Sequence, residues 1–181
     1  MKIYTRKGDA GETGLFHGGR VPKDGTGPEA YGAVDEAVAA LGVARSLTHG
    51  DLAADILEAQ RALFVVAAEL ATDPERRDRL EPGVSLATQE LIDVLEARID
   101  AIEEGSGLPT EFVVPGGDPV AAAIDVARTV VRRAERRAVT HLRGLEGSLV
   151  VPYLNRLSDY LYALARAVEG DWVPSRAEED A

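Results

Sequence analysis

The chain has 181 residues, 45 % of them apolar, which suits one domain with a buried core. Its 20 basic and 31 acidic residues leave a formal charge of -11, so a nucleic-acid-binding surface would have to form against the field of the whole molecule. The absence of cysteine excludes disulfides, zinc-thiolate sites and thiol nucleophiles, and His17, His49 and His141 are too dispersed to suggest a metal cage.

The opening MKIYTRKGDAG has no apolar core segment, so no secretory signal is expected, and no run of about 18 apolar residues suggests a membrane span. A cytoplasmic protein is the expectation. Residues 1–27 are polar and glycine-rich, and helical periodicity begins after them. The first helix is predicted from about Pro28 to Leu47, with Pro28 in the first turn and Val34, Val38 and Leu41 inward. A second runs from about Asp51 to Ala71, placing Leu52, Ile56, Leu63, Ala67 and Leu70 on one stripe before Asp73-Pro74 closes it. After the charged loop ERRDRLEPG, Ser85 begins a third, with Leu91, Leu95, Ile99 and Ile102 inward, that stops in GSGLP. Phe112-Val113-Val114 reads as a short extended piece. The turn PGGDP then offers Asp118 as N-cap and Pro119 as first residue of the fourth helix. A fifth starts near Pro152, carrying Leu154, Leu157, Leu161, Leu164 and Val168 at alternating steps of three and four.

Five helices with short connections predict an all-α, five-helix antiparallel bundle with a glycine-rich N-terminal loop. Residues 1–27 form the loop segment, 28–173 the helical bundle of the same domain, and 174–181 a flexible tail.

The fourth helix contains ARTVVRRAERRAV, with five arginines and one glutamate in an acidic chain. On a helical wheel with Arg128 at zero, Arg132 falls near about +40°, Glu135 near about -20° and Arg136 near about +80°, beside the apolar arc. Arg133 and Arg137 lie at roughly 140° and 180°, away from that seam, as ordinary solvated surface. Partly buried guanidinium groups need partners, and Glu135 alone does not neutralise three. Acidic groups from another helix or chain, or a polyanionic ligand, fit that demand equally.

The loop TRKGDAGETG combines glycines, threonines, backbone N–H groups and the cations Arg6 and Lys7, which suits an anion site as well as it suits a flexible terminus. It lacks the Walker arrangement of a P-loop. GGRVPKD adds Arg20 and Lys23. A small, multiply charged anion fits two cationic regions in an acidic protein better than a long polymer does.

Three segments together, YTRKGDAGETGLF with RVPKD, FVVPGGDPVAAAIDVARTVVRRAERR, and YLNRLSDYLYALAR, resemble the PduO-type ATP:cob(I)alamin adenosyltransferases, and EAYGAVDE is a fourth matching block. GTGP before the first helix and His17 depart from the family's usual pattern. The resemblance implies a trimer in which ATP and the corrinoid meet at each subunit interface. It implies attack by Co(I) on the 5' carbon of ATP, forming adenosylcobalamin and releasing triphosphate. A non-catalytic ATP- and cobalamin-binding carrier or sensor on the same fold is the alternative.

Carried over by position, the resemblance assigns the nucleotide to Thr5, Arg6, Lys7, Gly8, Thr13, Gly14 and Lys23. Arg132 and Arg136 would contact ATP, Asn155 would complete its site, and Glu135 would sit near nucleotide and metal. Magnesium would be held mainly through the ATP phosphates. Arg128 would pair with Asp35 of a neighbouring chain. Phe112 would press under the corrin and displace its lower ligand, where the residue pattern alone suggests core packing. A cobalamin reductase and an adenosylcobalamin-dependent mutase are the implied partners; no nucleic acid or membrane is.

Overall fold

The computed structural model describes residues 3–176. Five long helices carry the fold: α1 (Thr26–Ser46), α2 (Gly50–Leu70), α3 (Gln89–Gly105), α4 (Pro119–His141) and α5 (Val150–Glu169). Two small antiparallel ladders accompany them, β1 (Glu12–Gly14) with β2 (Arg20–Pro22), and β3 (Val113–Val114) with β4 (Val173–Pro174).

Residue size explains which helices lie closest. α1 and α4 form the most extensive interface, and their buried positions are largely alanine: Ala30, Ala33 and Ala37 on α1 face a helix whose own buried set includes Ala127, Ala134 and Ala138. Small side chains let two helix axes approach, and the larger volume is supplied from α5, where Leu154, Leu157 and Leu161 are fully buried. α3 packs mainly on α5. Arg98 of α3 pins it to α2 as well, through Asp55 at 3.0 Å and Glu58 at 2.5 Å, while lying over the Tyr160 ring. Burial pushes the Tyr160 hydroxyl up to about 12, with Asp55 reinforcing the shift.

The predicted inward residues are inward: Val34, Leu41, Ile56, Leu63, Leu70, Leu95, Leu154, Leu157, Leu161 and Leu164 are buried, and Val38, Leu52, Ala67, Leu91, Ile99, Ile102 and Val168 pack against that core. Helix ends moved where the capping chemistry was subtler. α1 and α5 begin two residues before Pro28 and Pro152, so each proline sits inside the first turn, where no N–H is needed. Ser85 does not start α3; its hydroxyl accepts from the Glu81 N–H within a turn, and the helix begins at Gln89 after Thr88. Asp118 caps α4 as the sequence requires, accepting from the N–H groups of Val120 and Ala121. The charged segment after α2 contains a 3-10 helix, Pro74–Arg79. Of the stretch read as a tail, Pro174 lies in β4 and the Ser175 N–H donates to the Phe112 carbonyl at 2.7 Å; residues 177–181 lie outside the described residues.

Candidate active site

Beginning at the N-terminus, a hairpin replaces what composition alone leaves as a loop. β1 and β2 pair with Thr13 opposite Val21, and the connection turns through Gly18 and Gly19, both at φ +91, a region that L side chains rarely adopt. Arg20 fixes the segment before it: Nη2 donates to the Lys7 carbonyl at 2.7 Å and the Glu12 carbonyl at 3.3 Å, and Nε to the Glu12 carboxylate at 3.2 Å. Arg6 is held at φ 59, the one left-handed non-glycine among the described residues. Lys23 crosses Gly8 so closely that a Cβ there would meet Nζ at 3.1 Å, and its backbone N–H donates to the Gly11 carbonyl at 2.8 Å. Burial pushes the hydroxyl of Tyr31 on α1 upward, and the Thr13 side chain opposes that shift in part. Thr5, Arg6, Lys7 and Lys23 remain exposed, and Thr5 Oγ1 accepts from the Lys7 N–H at 3.4 Å. The result is a shaped loop with exposed cationic tips, Arg6 lying over the Tyr4 ring at 5.7 Å.

On α4 the two arginine sets lie on different faces, but of the seam set only Arg128 is partly buried, because Arg132 and Arg136 stand about 80° or more from the apolar arc, and the outer pair is not simply solvated. Arg133 reaches Glu36, and Arg137 reaches Glu29 at 3.5 Å, both on α1 and both exposed. Arg132 and Arg136 are exposed, and among the described residues neither forms an ion pair. Arg128 is half-buried and paired within its own chain: Nε donates to Asp125 Oδ1 at 2.8 Å. That pairing corrects the expectation that only Glu135 shares the seam. Asp125 sits at about +60° on the same wheel, between Arg132 and Arg136, and was legible there. Glu135 is half-buried and accepts from Asn155 Nδ2 at 3.2 Å, so these two expected site residues meet. Asp35 lies exposed on α1.

Two hollows flank the far end of this seam. One, of about 220 Å³, is lined by Arg128, Arg132, Ser158, Asp159 and Tyr162. The other, of about 430 Å³, is lined by Pro109, Phe112, Tyr162, Ser175 and Arg176. Tyr162 is common to both, and its ring lies under the guanidinium groups of Arg128 and Arg166, at 6.0 and 5.7 Å. Phe112 is 86 % exposed, so it is not a core residue; it stands at the mouth of the second hollow.

Arg128, Arg132 and Phe112 are thus brought together around Tyr162, and Glu135 meets Asn155. The N-terminal cations are not brought to Phe112: that loop packs at the other end of α4, where Thr26 and His141 are 3.1 Å apart. Tyr162, Asp125 and the loop-pinning role of Arg20 were missed by the sequence reading. Tyr162 lies within the matching segment YLNRLSDYLYALAR, next to Leu161 of the leucine stripe and off that stripe, which is the signal that marks it. Among the described residues no cluster of three or more His, Asp or Glu side chains is spaced to hold a metal ion, and no helix is long and apolar enough to cross a membrane.

Comparison with known proteins identifies the family of the fold. The sequence pattern of the Cobalamin adenosyltransferase family matches residues 3–168. The corrinoid adenosyltransferase of Bacillus subtilis is 41 % identical over 174 residues, covering 93 % of this chain and 86 % of the relative. That of Mycobacterium tuberculosis is 45 % identical over 175 residues, covering 94 % of this chain and 90 % of the relative. Among solved structures, a variant PduO-type ATP:corrinoid adenosyltransferase from Lactobacillus reuteri, complexed with cobalamin and ATP, superposes with a TM-score of 0.87 at 32 % identity, over 97 % of this chain and 100 % of that one. From motif, fold and relatives together, the chain belongs to the cobalamin adenosyltransferase family, as a corrinoid adenosyltransferase of the PduO type.

Proposed function

We propose that this chain transfers the 5'-deoxyadenosyl group of ATP to cob(I)alamin, forming adenosylcobalamin and releasing triphosphate. The observation that carries the reading is the side-by-side placement of an exposed phenylalanine and an arginine without an ion-pair partner among the described residues around a shared tyrosine, Phe112, Arg132 and Tyr162. An aromatic ring left in water is costly unless an apolar face covers it, and a corrin offers such a face. A free guanidinium beside it suits a phosphate chain.

In the reaction, the cobalt electron pair forms the bond to the 5' carbon while the carbon–oxygen bond breaks and its pair leaves on triphosphate. The corrinoid supplies the nucleophile, so the protein's task is orientation and charge stabilisation. Arg132 and Arg136 meet the growing negative charge, and Asn155 with Glu135 orients the nucleotide. Thr5, Arg6, Lys7, Gly8, Thr13, Gly14 and Lys23 bind phosphate. Magnesium is carried chiefly by the triphosphate oxygens, because Glu135 is an isolated carboxylate with one oxygen already accepting from Asn155.

The loop lies at one end of α4 and Phe112 at the other, which supports a site completed between subunits of a homotrimer. Arg128 engages Asp125 through Nε alone and is half-buried, which leaves its terminal nitrogens to meet Asp35 of a neighbouring chain. The trimer works in the cytoplasm, receives its reduced corrinoid from a reductase and passes product to an adenosylcobalamin-dependent mutase.

The test combines purified protein, ATP, magnesium, cob(II)alamin and a strong reductant, following the visible spectrum and the phosphorus products. Adenosylcobalamin and intact triphosphate are expected, and Arg132→Ala should lower kcat/KM by about 100-fold. ADP or AMP as product would sink the displacement. Binding of both substrates without triphosphate release would identify a carrier or sensor instead.

A further inference from the structure

A buried chain of charges joins the arginine helix to the strand behind Phe112, and nothing in the chemistry above uses it. Asp125 Oδ2 accepts from Arg166 Nη2 at 2.5 Å, and Arg166 Nη1 meets Glu169 Oε2 at 3.1 Å. The side chains of Arg166 and Glu169 are both 1 % exposed. Glu169 Oε1 accepts the Gly117 N–H at 2.7 Å, in the turn directly after β3. The Arg166 carbonyl in turn accepts from the indole Nε1 of Trp172 at 3.0 Å, next to β4. Arg128 joins through the other oxygen of Asp125, so two guanidinium groups face two carboxylates, the balance that burial demands.

A bundle has cheaper ways to close its end; replacing such a network by apolar side chains is often neutral for stability. What the network does supply is distance. It ties β3 and β4, and with them Phe112, to the helix turn that carries Arg128 and Arg132. Gly117 is fitted to this purpose, since a Cβ there would stand 2.7 Å from Glu169 Oε1, and its backbone lies outside the left-handed region.

We propose that Glu169 is a positioning residue that, through Gly117 on one side and Arg166–Asp125 on the other, holds Phe112 at a set distance from the arginine seam. The inference rests on the adenosyltransfer reading, with Phe112 facing the corrinoid and the arginines facing ATP. The claim is a specific one: loosening Glu169 should impair the corrinoid side and spare the nucleotide side.

The chain has a single tryptophan, so Trp172 reports the clamp directly. In the full-length protein, Glu169→Ala and Gly117→Ala are compared with the parent by steady-state kinetics and by quenching of Trp172 emission with hydroxocobalamin. Both variants should raise the corrinoid KM and the quenching Kd by about tenfold, leave the ATP KM within about twofold, and shift the Trp172 emission to longer wavelength. A general loss of stability would lower the active fraction without separating the two KM values. Unchanged corrinoid binding, or a parallel rise in both KM values, overturns the proposal. Should Glu169→Ala not fold, Gly117→Ala decides, because it displaces the carboxylate without removing it. Should the parent bind hydroxocobalamin yet make no adenosylcobalamin, the transferase reading fails alone and the quenching comparison still decides the clamp; a parent that shows no quenching overturns the clamp as well.

Discussion

Arg128 donates through Nε to Asp125 Oδ1 at 2.8 Å, one turn earlier on the same helix, and Arg166 takes the second oxygen of that carboxylate at 2.5 Å. One buried carboxylate therefore serves two cations. Removing its charge leaves Arg166, 1 % exposed, facing only Glu169.

Asp125→Asn is accordingly expected to destabilise the chain by about 3 kcal/mol, the cost of breaking a buried pair while its cation stays behind. For a chain of this size the midpoint of thermal unfolding should drop by on the order of 10 °C. Calorimetry checks this; an unchanged midpoint would mean that Asp125 is not neutralising the seam.

Phe112→Ala separates two readings of one residue. A buried phenylalanine lost to alanine costs about 3–5 kcal/mol. At 86 % exposure there is little burial to lose, so denaturant unfolding should shift by less than about 0.5 kcal/mol while corrinoid-dependent turnover falls. A stability loss in the core range would return Phe112 to a packing role.

Arg20 makes three bonds that shape the loop ahead of β1 and none that points to a ligand. Arg20→Ala should raise the ATP KM by about tenfold through loop disorder, with the corrinoid KM unaffected. Lysine is not expected to rescue it, because a single ammonium does not reproduce the guanidinium fork that reaches Lys7 and Glu12 together. Initial-rate measurements with each substrate varied in turn distinguish the cases.

His141 links the ends of three helices. The Leu70 carbonyl, 3.2 Å from Nε2, only accepts, so Nε2 carries the proton and Nδ1 accepts from the Thr26 hydroxyl at 3.1 Å. Burial holds the imidazole below its ordinary 6.5, with the Leu70 carbonyl opposing in part. The unfolded chain then binds more protons between the two values, so stability is full above about 6.5 and declines as pH falls through it toward the lower folded value. The unfolding midpoint measured from about pH 8 to about pH 5 should show this slope, and His141→Gln, which keeps a donor for Leu70, should flatten it.

How much of this was legible beforehand varies with the range of the interaction. The helices were, because apolar spacing and the Asp118-Pro119 cap act within a few residues of chain. The separation of Arg128, Arg132 and Arg136 from Arg133 and Arg137 was too, since helical geometry alone fixes it. The start of α3 was not: Ser85 has the chemistry of a cap, yet the Glu81 N–H takes its hydroxyl first.

What the sequence by itself determined was therefore periodic and local: five amphipathic helices, their caps, and a row of cations on one face of α4, all set by the rise and turn of a helix. Only the tertiary structure decided which cations stay free. Glu29 and Glu36 of α1 occupy Arg137 and Arg133, Asp125 occupies Arg128, and Arg132 is left open beside Tyr162 and the exposed Phe112. Asp125 is local to its arginine, but Glu29 and Glu36 come from a distant part of the chain, and their choice depends on how alanine faces let α1 and α4 close together, a distance that no local spacing encodes.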